Sequence, residues 1–209
     1  MKILVIGGTG LVGSNLLPRL VERNDEVFTL TRNDSRLEKI RELGCNGLIG
    51  DIRNPKTFIN DLPGKLDIIV LLAMPSVKPG KRVTSRRKIE LREETNDFFR
   101  NSMDLAIKYN TPIILPGGTS FKTENNEIAD EKWPIHRIGL TEIGTDTDEM
   151  VNYAIRSSYP RVIQLIYGKI YGNGGLFRFM FNMMEKGRTR IIGKGDNFIP
   201  VSIRTAGNN

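Results

Sequence analysis

The sequence predicts an α/β fold, a doubly wound parallel sheet with helices on both faces. Three observations predict it. An apolar run from Ile3 to Ile6 breaks directly into Gly7, Gly8, Gly10 and Gly13; later aliphatic runs alternate with stretches of helical periodicity; and 209 residues suffice for one sizeable core. The expected organisation is one domain over residues 1–170, with residues 171–209 as a short extension packed on the same domain.

The first strand is Ile3–Ile6, whose β-branched Ile3, Val5 and Ile6 suit burial on both faces. Its glycines satisfy Gly-x-Gly-x-x-Gly at 8, 10 and 13 and a looser Gly-x-x-Gly-x-x-Gly at 7, 10 and 13. Glycines alone are weak evidence. A strand before them and a helix after them, here continued by Ser14–Leu17, are the setting of a pyrophosphate-binding turn. Glu26–Thr31 is the second strand and ends in Thr31-Arg32-Asn33. Leu37–Leu43 is a short helix closed by Gly44, and Asn46–Gly50 is a third strand leading into Asp51-Ile52-Arg53-Asn54-Pro55. Leu66–Ala73 reads as a fully buried strand that stops at Met74-Pro75.

A long helix follows from about Thr84 to Tyr109, with Ile89, Phe98, Phe99, Met103 and Ile107 among its apolar positions. Pro112–Pro116 is the fifth strand, followed by Gly117-Gly118-Thr119-Ser120, and Val162–Tyr167 is the sixth. Leu176–Lys186 is a helix whose Phe and Met stripe is spaced as for a core. A short strand near Ile191-Ile192 and another opening at Phe198–Ser202 complete the chain.

Composition narrows the function classes. Cys45 is the sole cysteine, which excludes an internal disulfide and a multi-cysteine metal site, and no metal is expected. No apolar run approaches membrane-spanning length, and the four apolar residues before Gly7 are too few for a signal-peptide core, so the expectation is a cytoplasmic protein. A net charge of +7 permits anionic partners. The acid-free run of Lys78, Lys81, Arg82, Arg86, Arg87 and Lys88 is either a solvated face or an anion site, and nucleic acid is not the expected partner.

Cofactor selection is written where the second strand ends. A dinucleotide without a ribose phosphate is met there by Asp or Glu; a 2′-phosphate requires that carboxylate to be absent and an Arg to be near. Thr31-Arg32 fits the second case, so NADP is expected over NAD, unless Arg32 is only a solvated strand-end charge. Asp51, at the carboxyl end of the third strand, either reaches an adenine amino group or caps the turn at Asn54-Pro55.

These motifs, with Gly50-Asp51-Ile52-Arg53, Leu72-Ala73, Asn96, Tyr167-Gly168-Lys169-Ile170-Tyr171-Gly172 and Ile192-Gly193-Lys194-Gly195-Asp196-Asn197, resemble the extended or atypical branch of the short-chain dehydrogenase/reductase family. The likeness is nearest to its epimerase/dehydratase and NADP-dependent reductase groups. It implies a Rossmann fold with cofactor held by Gly7, Thr9, Gly10, Leu11, Val12 and Gly13 at the pyrophosphate, Arg32 at the 2′-phosphate, Asp51 and Ile52 at the adenine, and Ala73 and Met74 on the nicotinamide side.

It also implies that Thr119 orients a substrate hydroxyl or carbonyl. The family's Tyr-x-x-x-Lys dyad is absent, because the matching positions fall near Ile143 and Thr147. His136 is then the candidate proton donor, while Glu142, Asp146 and Asp148 read as first-turn helix carboxylates. The expected function is an NADP-dependent oxidoreductase or an epimerase/dehydratase-like enzyme on a small molecule such as a nucleotide sugar; the alternative is a non-catalytic NADP-binding sensor. Extended relatives continue further, so the substrate-side region is expected to be truncated. It is then closed by a partner chain such as a second copy, left open, or part of a protein that has lost function.

Overall fold

Strands buried on both faces need apolar side chains at successive positions, and the runs Ile3–Ile6 and Ile68–Leu71 supply them at the centre of a six-stranded sheet. In the computed structural model, which describes residues 1–75, 77, 82–118, 133–137, 139–171, 175–188 and 201–203, the strands of this sheet are β1 (Lys2–Ile6), β2 (Glu26–Thr31), β3 (Asn46–Ile49), β4 (Ile68–Leu71), β5 (Ile113–Gly118) and β6 (Val162–Tyr167). All neighbours pair in parallel, in the order β3-β2-β1-β4-β5-β6. The predicted doubly wound sheet is therefore present, and β2 and β6 coincide with their sequence runs residue for residue.

Helices α1 (Gly13–Glu22), α2 (Leu37–Glu42), α3 (Ser85–Lys108) and α4 (Thr145–Ser157) cover the sheet. Alternation along each strand divides its side chains between two layers. Leu4, Ile6, Ile69, Leu71, Ile113 and Leu115 meet Phe98, Phe99 and Met103 of α3 and Val151 of α4. Ile3, Val5, Val27 and Val70 meet Leu17 and Leu20 of α1 and Ile40 of α2, with Cys45 buried among them as a small apolar residue. Thr84 starts α3 by accepting the Arg87 N–H at 3.2 Å, a cap at the predicted position.

Two sequence expectations are corrected. Within α3, Ile89 is 60 % exposed and Ile107 40 % exposed. The buried stripe runs instead through Leu91, Thr95, Phe98, Ser102 and Leu105, and Ile89 stands two residues from Leu91, about 200° round the helix. Thr95 is tolerated there because its hydroxyl donates to the Leu91 carbonyl at 2.6 Å. Within α5 (Gly175–Glu185), Met180, Phe181 and Met184 are exposed rather than core. β7 (Lys169–Tyr171) and β8 (Val201–Ile203) pair in parallel as a separate two-stranded sheet. The strand expected near Ile191-Ile192 lies outside the described residues. Among the described residues, no helix is long and apolar enough to cross a membrane.

Candidate functional site

Sheet order reverses between β1 and β4, and in open α/β sheets a crevice forms at such a point, beyond the carboxyl ends of the strands. The Ile6 carbonyl accepts the N–H groups of both Leu72 (2.7 Å) and Ala73 (2.9 Å), which ties the end of β1 to the end of β4. Gly7 then turns the chain at φ +97°, and a Cβ there would lie 2.5 Å from the Ala73 nitrogen. At Gly13 a Cβ would lie 2.5 Å from both the Gly7 oxygen and the Gly8 Cα, so α1 begins directly on the turn.

The N-terminus of α1 carries no side-chain cap and no acid in its first turn. Among the described residues, the amides of Leu11, Val12 and Gly13 have no hydrogen-bond acceptor. Free N–H donors at the positive end of a helix form an anion-binding surface.

A cleft of about 270 Å³ adjoins this turn. Gly7, Thr9, Arg32, Asp51, Ile52, Ala73 and Met74, all singled out in the sequence, line it together; Gly10, Leu11, Val12 and Gly13 belong to the neighbouring turn without lining the cleft. Phe98 and Leu30 add apolar wall, and Asn33 and Arg36 add polar groups that sequence reasoning missed. Asn33 folds the chain back after β2: its Oδ1 accepts the Ser35 N–H at 3.0 Å, starting a 3-10 turn over Asp34–Arg36. That turn sends Arg36 across to donate from Nη1 to Thr9 Oγ1 at 3.1 Å. Two guanidiniums thus stand at the end of β2.

Asp51 is the one carboxylate among the described residues of the cleft wall. It is not a helix cap; its oxygens are filled by Arg53, which donates its backbone N–H to Oδ1 at 2.9 Å and its Nη2 to Oδ2 at 2.5 Å. The Arg53 guanidinium holds the Asp51 carboxyl below the usual carboxylate range. Arg32 Nη1 stands 3.8 Å from Oδ2, and the Arg32 side chain is 70 % exposed.

The helix expected to carry the dyad begins as a 3-10 segment, Gly139–Gly144, and continues as α4. Ile143 is half-buried, and Thr147 is buried with its hydroxyl donating to the Gly144 carbonyl at 2.8 Å. Each of the three nearby acids has a basic partner from outside α4. Glu142, which precedes α4 rather than lying in its first turn, pairs with Lys88; Asp146 pairs with Arg92 and accepts from Asn96 Nδ2 at 2.7 Å; Asp148 accepts the Arg137 fork at 2.5 and 2.6 Å. Arg92, and after it Asn96, hold the Asp146 carboxyl down at about 2.

Among the described residues, three cations of the basic run are paired with acids, and Arg82 is exposed. Arg86 pairs with Glu90, Arg87 with Glu90 and Glu94, and Lys88 with Glu142, while Lys78 and Lys81 lie outside the described residues. His136 is exposed in the segment 133–137, beside a second concavity of about 770 Å³ that Trp133, Ile135 and Arg137 line and His136 does not. Thr119 lies outside the described residues.

With this geometry in hand, the comparisons with known proteins are specific. Residues 3–92 match the NAD dependent epimerase/dehydratase family. The fold is similar to that of solved epimerases and dehydratases. UDP-glucose 4-epimerase of Thermotoga maritima, solved with UDP-glucose, superposes with a TM-score of 0.75 at 20% identity over 97% of this chain and 69% of its own. The dTDP-glucose 4,6-dehydratase of Bacillus anthracis, solved in complex with NAD, gives 0.74 at 17% identity over 97% of this chain and 67% of its own. Sanguinarine reductase of Eschscholzia californica is 35% identical over 89 residues, which is 41% of this chain and 32% of the reductase. The chain spans about a third of the reductase and just over two thirds of the two solved enzymes.

Proposed function

We propose that the cleft binds NADP in preference to NAD, and that the chain is an NADP(H)-dependent oxidoreductase or epimerase/dehydratase-like enzyme acting on a hydroxyl- or carbonyl-bearing substrate, such as a nucleotide sugar. One observation carries the cofactor reading: Arg32 and Arg36 line the cleft where β2 ends, while its carboxylate, Asp51, is already engaged by Arg53. The family match and a dehydratase solved with NAD support a nicotinamide dinucleotide in the cleft, and the preference for NADP rests on the two arginines alone.

In this reading the free amides of Leu11, Val12 and Gly13 face the pyrophosphate, with Gly7, Thr9 and Gly10 shaping the turn. Arg32 and Arg36 hold the 2′-phosphate, Asp51 and Ile52 border the adenine, and Ala73 and Met74 border the nicotinamide. The bound cofactor supplies or accepts a hydride. Thr119 orients the substrate oxygen, and His136 moves the proton.

A second reading, a non-catalytic NADP sensor, is favoured by the dyad positions themselves: an aliphatic side chain at 143 and a buried hydroxyl at 147 transfer no proton. Exchange of label from bound NADPH, assayed against a panel of nucleotide sugars and ketones, separates the two. Exchange with any substrate establishes the enzyme; tight NADP binding with no exchange on any of them favours the sensor.

A further inference from the structure

We infer that Arg53 is a positioning residue that sets dinucleotide selectivity: by donating to both oxygens of Asp51 it leaves Arg32 without a hydrogen bond to that carboxylate and available to the ribose phosphate. The inference rests on the dinucleotide reading above and names a residue that reading does not use.

The physical problem is a carboxylate in a cleft meant for a phosphate. A carboxylate offers about four lone-pair sites on two oxygens. Arg53 supplies three donors to them from one residue, its single Nε–H being shared: Nε lies 3.1 Å from both Oδ1 and Oδ2, Nη2 lies 2.5 Å from Oδ2, and the backbone N–H lies 2.9 Å from Oδ1. Arg32, at 3.8 Å, is drawn towards the same oxygen but is not hydrogen-bonded to it. It remains a cation at the rim, available to an incoming anion.

Without the Arg53 side chain, Oδ2 loses its donors and Arg32 is the nearest cation left. A movement of about 1 Å would bring Arg32 into a charge-assisted hydrogen bond with Asp51. Arg32 would then serve Asp51 instead of the ligand, and a less neutralised carboxylate would repel a phosphate of charge about −2. A ligand without that phosphate is affected by neither change. The turn itself does not need the Arg53 side chain, because the Asn54 N–H donates to the Asp51 carbonyl at 2.8 Å and the Asp51 N–H to Thr57 Oγ1 at 3.2 Å.

The test is calorimetry on the full chain with adenosine 2′,5′-bisphosphate and adenosine 5′-monophosphate, for wild type, Arg53→Gln, Asp51→Asn and the double variant. Arg53→Gln is expected to weaken the bisphosphate about five-fold, the scale of one exposed ion pair, and to leave the monophosphate unchanged. In the Asp51→Asn background the same substitution is expected to change neither ligand. Should Arg53→Gln fail to fold, Arg53→Lys, which keeps one cationic contact, is expected to weaken the bisphosphate alone by a smaller factor. An equal loss for both ligands, no loss, or a loss that persists without Asp51 overturns the inference. Wild-type protein that binds neither NADP nor NAD overturns the underlying reading with it, whereas wild type that binds NADP and an indifferent Arg53→Gln overturn this inference alone.

Discussion

Gly10 and Gly13 stand three residues apart in the same turn, yet the structure assigns them different work, and alanine at each separates packing from ligand approach. A Cβ at Gly13 would lie 2.5 Å from the Gly7 oxygen and 2.5 Å from the Gly8 Cα, both backbone atoms that cannot rotate away. The start of α1 must retreat by about 1 Å, an overpacking cost of about 3 kcal/mol. Alanine's helical preference returns about 1 kcal/mol, leaving a net destabilisation of about 2 kcal/mol. With a urea dependence of about 2 kcal/mol per molar, the unfolding midpoint of Gly13→Ala falls by about 1 M.

At Gly10 a Cβ would meet only the Gly7 oxygen, at 3.2 Å, and the residue is exposed. Gly10→Ala is therefore expected to stay within about 1 kcal/mol of wild type. Its methyl group would stand where a pyrophosphate approaches the free amides, so NADP affinity is expected to fall at least about ten-fold, or 1.4 kcal/mol. Urea unfolding followed by circular dichroism and calorimetry with NADP read the two effects separately. A Gly13→Ala midpoint equal to wild type refutes the packing argument, and wild-type NADP affinity in Gly10→Ala refutes the placement of the pyrophosphate.

Three other outcomes follow from the same coordinates. Arg32→Asp places a carboxylate at the end of β2 and is expected to weaken NADP about ten-fold or more while strengthening NAD; unmoved NADP affinity in titrations would remove Arg32 from the site. Asp146, held at about 2 against an unfolded value of 3.8, contributes stability that is complete above about pH 4 and lost as pH falls through 2. The stability difference between wild type and Asp146→Asn should therefore shrink from pH 5 to pH 2, by no more than about 1 kcal/mol because solvent screens the pair, and parallel urea midpoints across that range would contradict it. Leu115→Ala removes a side chain with 0% exposure from β5 and should cost about 3 kcal/mol in urea unfolding; a loss below about 1 kcal/mol would mean that β5 is not packed as described.

The fold was legible because a parallel sheet buried on both faces writes itself as uninterrupted apolar runs, and the glycine turn as a spacing. β2 and β6 could be bounded to the residue from their β-branched and alternating side chains. α3 was harder: hydrophobicity marked Phe98, Phe99 and Met103 correctly, but the buried stripe also includes Thr95 and Ser102, while Ile89 and Ile107 lie off it. The cleft was legible at Gly7, Arg32, Asp51 and Ala73, which sit at the ends of strands.

Arg36 was not legible, because its bond to Thr9 spans 27 positions and depends on the turn that Asn33 starts. Arg53 did leave a signal, since an Asp-x-Arg spacing lets the guanidinium fork back onto the carboxylate two residues earlier. The basic run from Lys78 left a solvated face and an anion site open in the sequence, and the paired cations fit the solvated face. The acids that answer Arg86, Arg87 and Lys88 lie one or two turns further along α3 and at Glu142, beyond the window in which the charges were counted.

Parallel calorimetric titrations of the full chain with NADP and NAD test the central claim most directly. Binding of one NADP per chain, at least about ten-fold tighter than NAD, is the result predicted from two guanidiniums and a neutralised carboxylate at the end of β2. Equal or tighter binding of NAD, or heat from neither dinucleotide, would contradict it.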